Sequence, residues 1–278
     1  MRTSLASLVI CLIFQQMVES VVFLNPTCGV SYEPFLGPRI MNGKDAVLRS
    51  APFMAYLYNA TDLFCGGSII NSRYILTAAH CIFPRLKVRL GEHDTNSNPD
   101  CQGPNICSPR SEEYEIQMAS RHAYYDESSI KNDIAVIKLT RNIRFNIHIQ
   151  PICLILNPAN SPRVNEYIAF GWGSTAFART SNVLQTTVLK PYSRDYCNGF
   201  FGSLLTRNQI CAGFDNRDTC KGDSGGPLVA KVNLDGVNRY LQLGIVSYGP
   251  NKCMSPGVYT FVPNYIDWIK SSIRINGN

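Results

Sequence analysis

From about residue 40 onward the chain alternates short apolar runs with clusters of turn-forming residues. Ser68-Ile69-Ile70, Tyr74-Ile75-Leu76-Thr77, Ile134-Ala135-Val136-Ile137, Tyr167-Ile168-Ala169-Phe170 and Leu243-Gly244-Ile245-Val246 are rich in β-branched and aromatic residues. Runs of this length and composition between turn signals predict an antiparallel, all-β protein. Only the end of the chain predicts a helix: behind Pro263, apolar Tyr265, Ile266, Trp268 and Ile269 recur at three- and four-residue spacing. The stretch from Thr95 to Arg110 carries three prolines and two cysteines and predicts a long loop that needs its own bracing. No internal repeat or low-complexity tract interrupts this pattern.

The N-terminus changes the picture. Arg2 precedes an apolar stretch from Leu5 to Phe14, and small residues follow near Ser20. That order reads as a secretory signal peptide over residues 1–20. Its apolar core is too short to span a bilayer, and no later stretch approaches the ~20 apolar residues needed, so a membrane-embedded protein is not expected. Cysteine usage agrees with an oxidising, extracellular compartment. Of the 11 cysteines, Cys11 leaves with the leader, and the even remainder predicts five disulfides. Zinc is disfavoured, because no Cys-x-x-Cys pair occurs and His93, His122 and His148 are isolated from one another. The net charge of +6 is spread without a run of five like charges, so nucleic acid is not an expected partner. With 45% hydrophobic residues, 13 Phe and 14 Tyr, the chain has ample core material and disorder is excluded as its main state.

Three short segments carry the chemistry: Thr77-Ala78-Ala79-His80-Cys81, Asn132-Asp133-Ile134-Ala135 and Gly222-Asp223-Ser224-Gly225-Gly226-Pro227. The last is the most specific, since a serine among glycines suits a tight turn whose amides approach a substrate closely. In the order His, Asp, Ser, these segments resemble those of chymotrypsin-type, trypsin-like serine endopeptidases. The likeness runs from about residue 40 to 278 and includes the cysteine positions, Gly171-Trp172-Gly173, Ser247-Tyr248-Gly249 and Pro256-Gly257-Val258-Tyr259-Thr260.

The resemblance implies two packed six-stranded antiparallel β-barrels, about 40–150 and 151–262, with a C-terminal helix across the back. Ser224 would be the nucleophile, His80 the general base and acid, and Asp133 the group that orients His80. The amides of Gly222 and Ser224 would form the oxyanion hole. Asp218, six residues before the nucleophile, would floor a deep pocket for Arg or Lys, with Gly249 and Gly257 as its bare walls. Ser247, Tyr248 and Gly249 would take the substrate backbone as an added strand, with Tyr248 where relatives most often carry Trp.

Arg39 before Ile40-Met41-Asn42-Gly43 resembles the family's activation junction, so residues 21–39 would be a propeptide and 40–278 the protease domain. The new Ile40 ammonium would then pair with Asp223. The implied disulfides are Cys28–Cys153, Cys65–Cys81, Cys197–Cys211 and Cys220–Cys253, leaving Cys101 with Cys107. That last pair resembles the insect clip-domain group, although the single cysteine of residues 21–39 cannot build a clip domain. Glu92, Asp94 and Asp100 stand where relatives place a calcium loop, and oxygen ligands suit that ion; nothing in the reaction calls for a cofactor. Asn59-Ala60-Thr61 is a glycosylation acceptor. The expected protein is a monomeric, secreted zymogen with protein substrates, a trypsin-like activating protease and protein inhibitors as partners. The alternative is a non-catalytic homologue acting as a binding or cofactor protein.

Overall fold

A computed structural model describes residues 21–31, 44–60, 64–102, 105–174, 180–213, 222–234, 236–250 and 256–277. The signal segment, the Arg39–Ile40 junction, Asp218 and the Cys220–Cys253 pair lie outside the described residues. In the first half, strands β2 (Met54–Tyr58), β3 (Phe64–Ile69), β4 (Tyr74–Thr77), β5 (Lys87–Leu90), β6 (Glu112–Tyr114), β7 (Ile116–Arg121) and β8 (Ala135–Leu139) follow a two-residue β1 (Lys44–Asp45). In the second half come β9 (Tyr167–Gly171), β10 (Gln185–Tyr192), β11 (Gln209–Gly213), β12 (Pro227–Leu234), β13 (Val237–Tyr248) and β14 (Gly257–Phe261). All ladders among them are antiparallel, as the apolar runs predict.

The two halves close differently. In the second, β9 pairs with both β12 and β10, so six strands form a continuous barrel. In the first, the sheet runs β6-β5-β2-β3-β4-β8-β7 and is open by pairing. Its two edges, however, are consecutive in the chain and separated by Glu115 alone, so one bent strand changes partners there. The expected boundary at residue 40 also meets an exception: Lys44 and Asp45 pair with Thr186 and Gln185 of the second sheet. A strand of two residues has too little side chain to choose a sheet for itself and follows the surface it crosses.

Each half buries its own apolar set. Leu57, Ile69, Ile75, Leu76, Val88 and Ile137 fill the first, and Leu189, Leu228, Leu241, Leu243 and Tyr259 the second. At the seam the Phe53 ring packs on Phe170 and Tyr240, with centroids 5.7 and 5.4 Å apart. The predicted terminal helix is α2 (Ile266–Ile275), which presents Ile266, Ile269 and Ile273 to the first core. Burying such a side chain contributes about 1.5–3 kcal/mol, enough for three of them to hold a short helix that would be marginal alone. Its far end is tied down by the Tyr74 hydroxyl, which donates to the Gly277 carbonyl at 2.7 Å, and by Lys138, which donates to the Asn276 carbonyl.

A second helix, α1 (Arg194–Phe201), departs from the sequence expectation. Ser193 caps it by accepting the Tyr196 amide at 3.2 Å, and Gly202 ends it at a φ of 63°. Both capping residues are visible in the sequence, but eight residues are too few for a convincing periodicity. Four expected disulfides are formed: Cys28–Cys153, Cys65–Cys81, Cys101–Cys107 and Cys197–Cys211. The first fastens residues 21–31 to the second half, where the Leu24 amide also donates to the Leu154 carbonyl at 3.0 Å. The third braces the long loop, as its prolines and cysteines suggest.

Candidate active site

His80 sits in a one-turn helix, Ala79–Cys81, immediately after β4. The neighbouring Cys81 is bonded to Cys65 of β3, so the imidazole is carried on a turn pinned at one residue's remove. Asp133 lies just ahead of β8 and is fully buried. Its Oδ2 stands 2.7 Å from His80 Nδ1, and its Oδ1 accepts the His80 backbone amide at 3.0 Å. Two residues of the second half complete its shell. The Ser247 hydroxyl donates to Oδ2 at 2.6 Å, and the Thr260 hydroxyl donates to the Asp133 carbonyl at 2.8 Å. A carboxylate only accepts, so the imidazole proton resides on Nδ1 and Nε2 is left as the basic nitrogen. His80 keeps 31% of its side chain exposed, which leaves that nitrogen accessible.

The Ser224 turn is built where both halves meet. The Ser224 carbonyl accepts the Gly66 amide of β3 at 2.7 Å, and the Gly225 amide donates to the Val246 carbonyl of β13 at 2.9 Å. Glycine is required twice. Gly222 has a φ of 103°, and a Cβ there would lie 2.6 Å from the Phe64 ring. Gly225 has a φ of 79°, and its Cβ would fall 2.2 Å from Thr77 Oγ1 and 3.0 Å from Cys81 Sγ. These contacts press the turn against the residue next to His80. Among the described residues no hydrogen bond joins the Ser224 hydroxyl to His80, and the Ser224 amide donates to none of them.

Asp223 turns the other way. Its carboxylate accepts the Gly173 amide at 2.9 Å and fills the space that a Cβ at Gly171 or Gly173 would need, 2.0 and 2.6 Å away. The Gly171-Trp172-Gly173 motif is therefore a seat for this carboxylate. Of the expected substrate-binding residues, Ser247 is buried against Asp133, Gly249 is exposed and Gly257 is buried in β14. Tyr248 is half-buried and meets the Phe201 ring edge-on at 5.5 Å. Burial pushes its phenol up, against hydrogen bonds to Gln209 and Ser203. The sequence reading missed what surrounds that ring: a cleft of about 410 Å³ lined by Ser128, Ile130, Lys131, Phe201, Leu204 and Tyr248. It also missed that the Ser247 side chain serves Asp133; only the neighbouring match to a family motif could have signalled either.

Among the described residues the atoms that converge like metal ligands are those of Cys65, His80 and Cys81, but both sulfurs are spent in a disulfide. Glu92, Asp94 and Asp100 are not gathered on one point among the described residues. Glu92 accepts from Arg89 at 3.0 Å and from the His93 amide at 3.1 Å. Asp100 accepts from the His93 amide at 2.9 Å and the Ser97 hydroxyl at 2.8 Å, and Asp94 accepts from the Asn96 amide at 3.0 Å. The loop's own donors and Arg89 engage five of these six carboxylate oxygens.

Residues 40–269 match the trypsin family profile. The serine protease grass of Drosophila melanogaster is 36% identical over 263 residues, which span 87% of this chain and 70% of that protein. Phenoloxidase-activating factor 3 of Holotrichia diomphalia is 36% identical over 258 residues, 85% of this chain and 73% of that one. The crystal structure of the Drosophila Grass clip serine protease of the Toll pathway superposes with a TM-score of 0.78 over 90% of this chain and 75% of that one. Mouse neuropsin, a serine protease at 31% identity, superposes with a TM-score of 0.70 over 84% of this chain and 99% of its own.

Proposed function

The chain belongs to the trypsin family, and on that premise we propose that it is a secreted serine endopeptidase, made as a zymogen, that cleaves after Arg or Lys. The observation that carries the reading is the buried Asp133 carboxylate on His80 Nδ1, at 2.7 Å, with 31% of the His80 side chain still exposed. A histidine so oriented can take a proton at Nε2 while the carboxylate stabilises the imidazolium that results.

The proposed reaction follows. His80 Nε2 removes the Ser224 hydroxyl proton as the oxygen attacks the scissile carbonyl, and the negative charge that develops is received by the amides of Gly222 and Ser224. His80 then returns the proton to the leaving amine, and a water repeats the sequence on the acyl-enzyme. Asp218 would hold the cation of the substrate side chain, with Gly249 and Gly257 leaving the pocket open. The cleft at Ile130, Phe201, Leu204 and Tyr248 adjoins the Ser247–Gly249 strand and would receive an apolar substrate residue upstream of the cleaved bond.

For activation, cleavage after Arg39 would free the Ile40 ammonium to join Asp223, whose seat between Gly171 and Gly173 is already built. An ammonium buried without its partner is strongly unfavourable, so the pairing can order the Ser224 turn. Cys28–Cys153 would keep residues 21–39 attached. Among the described residues no helix is long and apolar enough to cross a membrane. Relatives whose names denote activation of other proteins, such as the Spaetzle-processing enzyme of Drosophila melanogaster at 33% identity, favour a place in an extracellular cascade, with an upstream protease and inhibitors as partners.

An organophosphate ester tests the reading against the non-catalytic alternative. The activated protein should be labelled at Ser224 and hydrolyse Arg esters far faster than Phe esters, and Ser224→Ala should lose both labelling and turnover. Labelling elsewhere, or turnover that survives Ser224→Ala, sinks the mechanism. A gap between Arg and Phe substrates that persists in Asp218→Ser removes Asp218 as the floor.

A further inference from the structure

Asn132, the residue before Asp133, adopts a φ of 55°, in the left-handed region that only a few non-glycine residues tolerate. Its side-chain amide is engaged at both ends. Nδ2 donates to the Tyr124 carbonyl at 2.7 Å, and Oδ1 accepts the Tyr265 hydroxyl at 2.8 Å. Its backbone carbonyl accepts the Ile134 amide at 2.9 Å, closing a tight turn around Asp133. Tyr265 is 4% exposed and ends the turn Val262–Tyr265 that leads into α2. Burial first, and then the nearby Asp133 charge, push its phenol up, against a hydrogen bond to Asn208, so the two groups feel one another. Behind Tyr265 stands His122, edge-on at 5.4 Å, with its own backbone amide on the Ile134 carbonyl at 3.0 Å. An aspartate at 132 would have no donor for the Tyr124 carbonyl, and a glycine would take the φ but bond neither partner.

We propose that Asn132 is a positioning residue: clamped between the Tyr124 carbonyl and the Tyr265 hydroxyl, it turns the chain so that the Asp133 carboxylate meets His80 Nδ1. Tyr265 thereby makes the C-terminal helix part of the support of the active site. The inference rests on the reading of Asp133 as the group that orients His80. Held geometry of this kind matters because a small misplacement of a catalytic group is costly in rate.

Two variants of the full chain test it, Asn132→Gly, which keeps the φ accessible, and Tyr265→Phe, which removes one hydroxyl. After activation, and per titrated active site, Asn132→Gly should lose about 10–100-fold in kcat and Tyr265→Phe about 3–10-fold, with KM within about twofold. The double variant should be no slower than Asn132→Gly alone, since both act through one contact. A second measurement needs no turnover: in the Ser224→Ala background, the low-field proton resonance of the His80 N–H bound to Asp133 should move upfield in both variants. Lower thermal midpoints with unchanged kcat and an unmoved resonance would show that Asn132 only stabilises its loop and would overturn the proposal. If Asn132→Gly does not fold, Tyr265→Phe alone decides by the same resonance. An unlabelled, inactive wild type would refute the protease reading, while the resonance would still settle the role of Asn132.

Discussion

Asp133 and Glu92 are carboxylates buried in the same half of the molecule, yet they meet opposite partners. Asp133 accepts from a hydroxyl, a backbone amide and an imidazole, and among the described residues no lysine or arginine pairs with it. Glu92 faces Arg89, which reaches on to Glu113 at 3.1 Å. Burial works against the charge of Arg89, but its hydrogen bonds to Glu92 and Glu113 outweigh that and hold its pKa above the usual value. Burial, reinforced by the Asp100 charge, pushes the Glu92 carboxyl up in spite of Arg89. A permanent cation thus answers Glu92, and its charge serves structure. Among the described residues the charge of Asp133 meets an imidazole instead, and in the proposed mechanism its effect would fall on the step in which His80 receives the Ser224 proton.

Substitution should separate the two. Asp133→Asn keeps the shape and removes the charge, and kcat should fall by about 10⁴-fold, the loss that the triad template of this family shows. Glu92→Gln should leave kcat within about threefold, measured per titrated active site. Next in size, Arg89→Met strands Glu92 without its cation. Chemical denaturation should show a loss of roughly 2–4 kcal/mol, somewhat below that of a fully buried pair because Arg89 is partly exposed, with the activity of the folded fraction intact.

Ser247→Ala removes one donor to the Asp133 carboxylate and should cost about 10–30-fold in kcat, read on a small amide substrate. A smaller effect concerns pH. Glu92 holds its proton more tightly folded than unfolded, so its contribution to stability is fully present below the unfolded value of 4.5 and is lost as pH rises through the raised folded value. Denaturation midpoints across that window should fall in the wild type and change less in Glu92→Gln. The smallest effect should be that of calcium. With Arg89 already on Glu92, thermal midpoints in calcium and in chelator should agree; a calcium-dependent rise that Glu92→Gln abolishes would mean that the ion displaces the arginine.

Much of this was legible in the sequence because the features are local. The runs at Tyr74–Thr77 and Tyr167–Phe170 are strands because their side chains fit a pleated, buried surface whatever lies opposite. Helix α2 shows itself by spacing, and α1 does not, since eight residues leave too few turns for a pattern and its stability comes from capping and the Cys197–Cys211 bond. The acidic loop shows the same limit. Three carboxylates within nine residues suggest a cation, but which donors meet them depends on the folded chain, and here Arg89 meets Glu92.

The amino-acid order by itself determined the all-β character, the disulfide-rich class and the terminal helix, and it carries the three segments around His80, Asp133 and Ser224 on which the family resemblance rests, because each is written in neighbours along the chain. Only the tertiary structure decided what surrounds Asp133. The Ser247 hydroxyl comes from 114 residues away and the Tyr265 phenol reaches Asn132 across 133, both through contacts between elements far apart in the chain. No periodicity encodes such meetings, since a hydrogen bond between distant residues exists only once two cores have packed and fixed the distance between their strands.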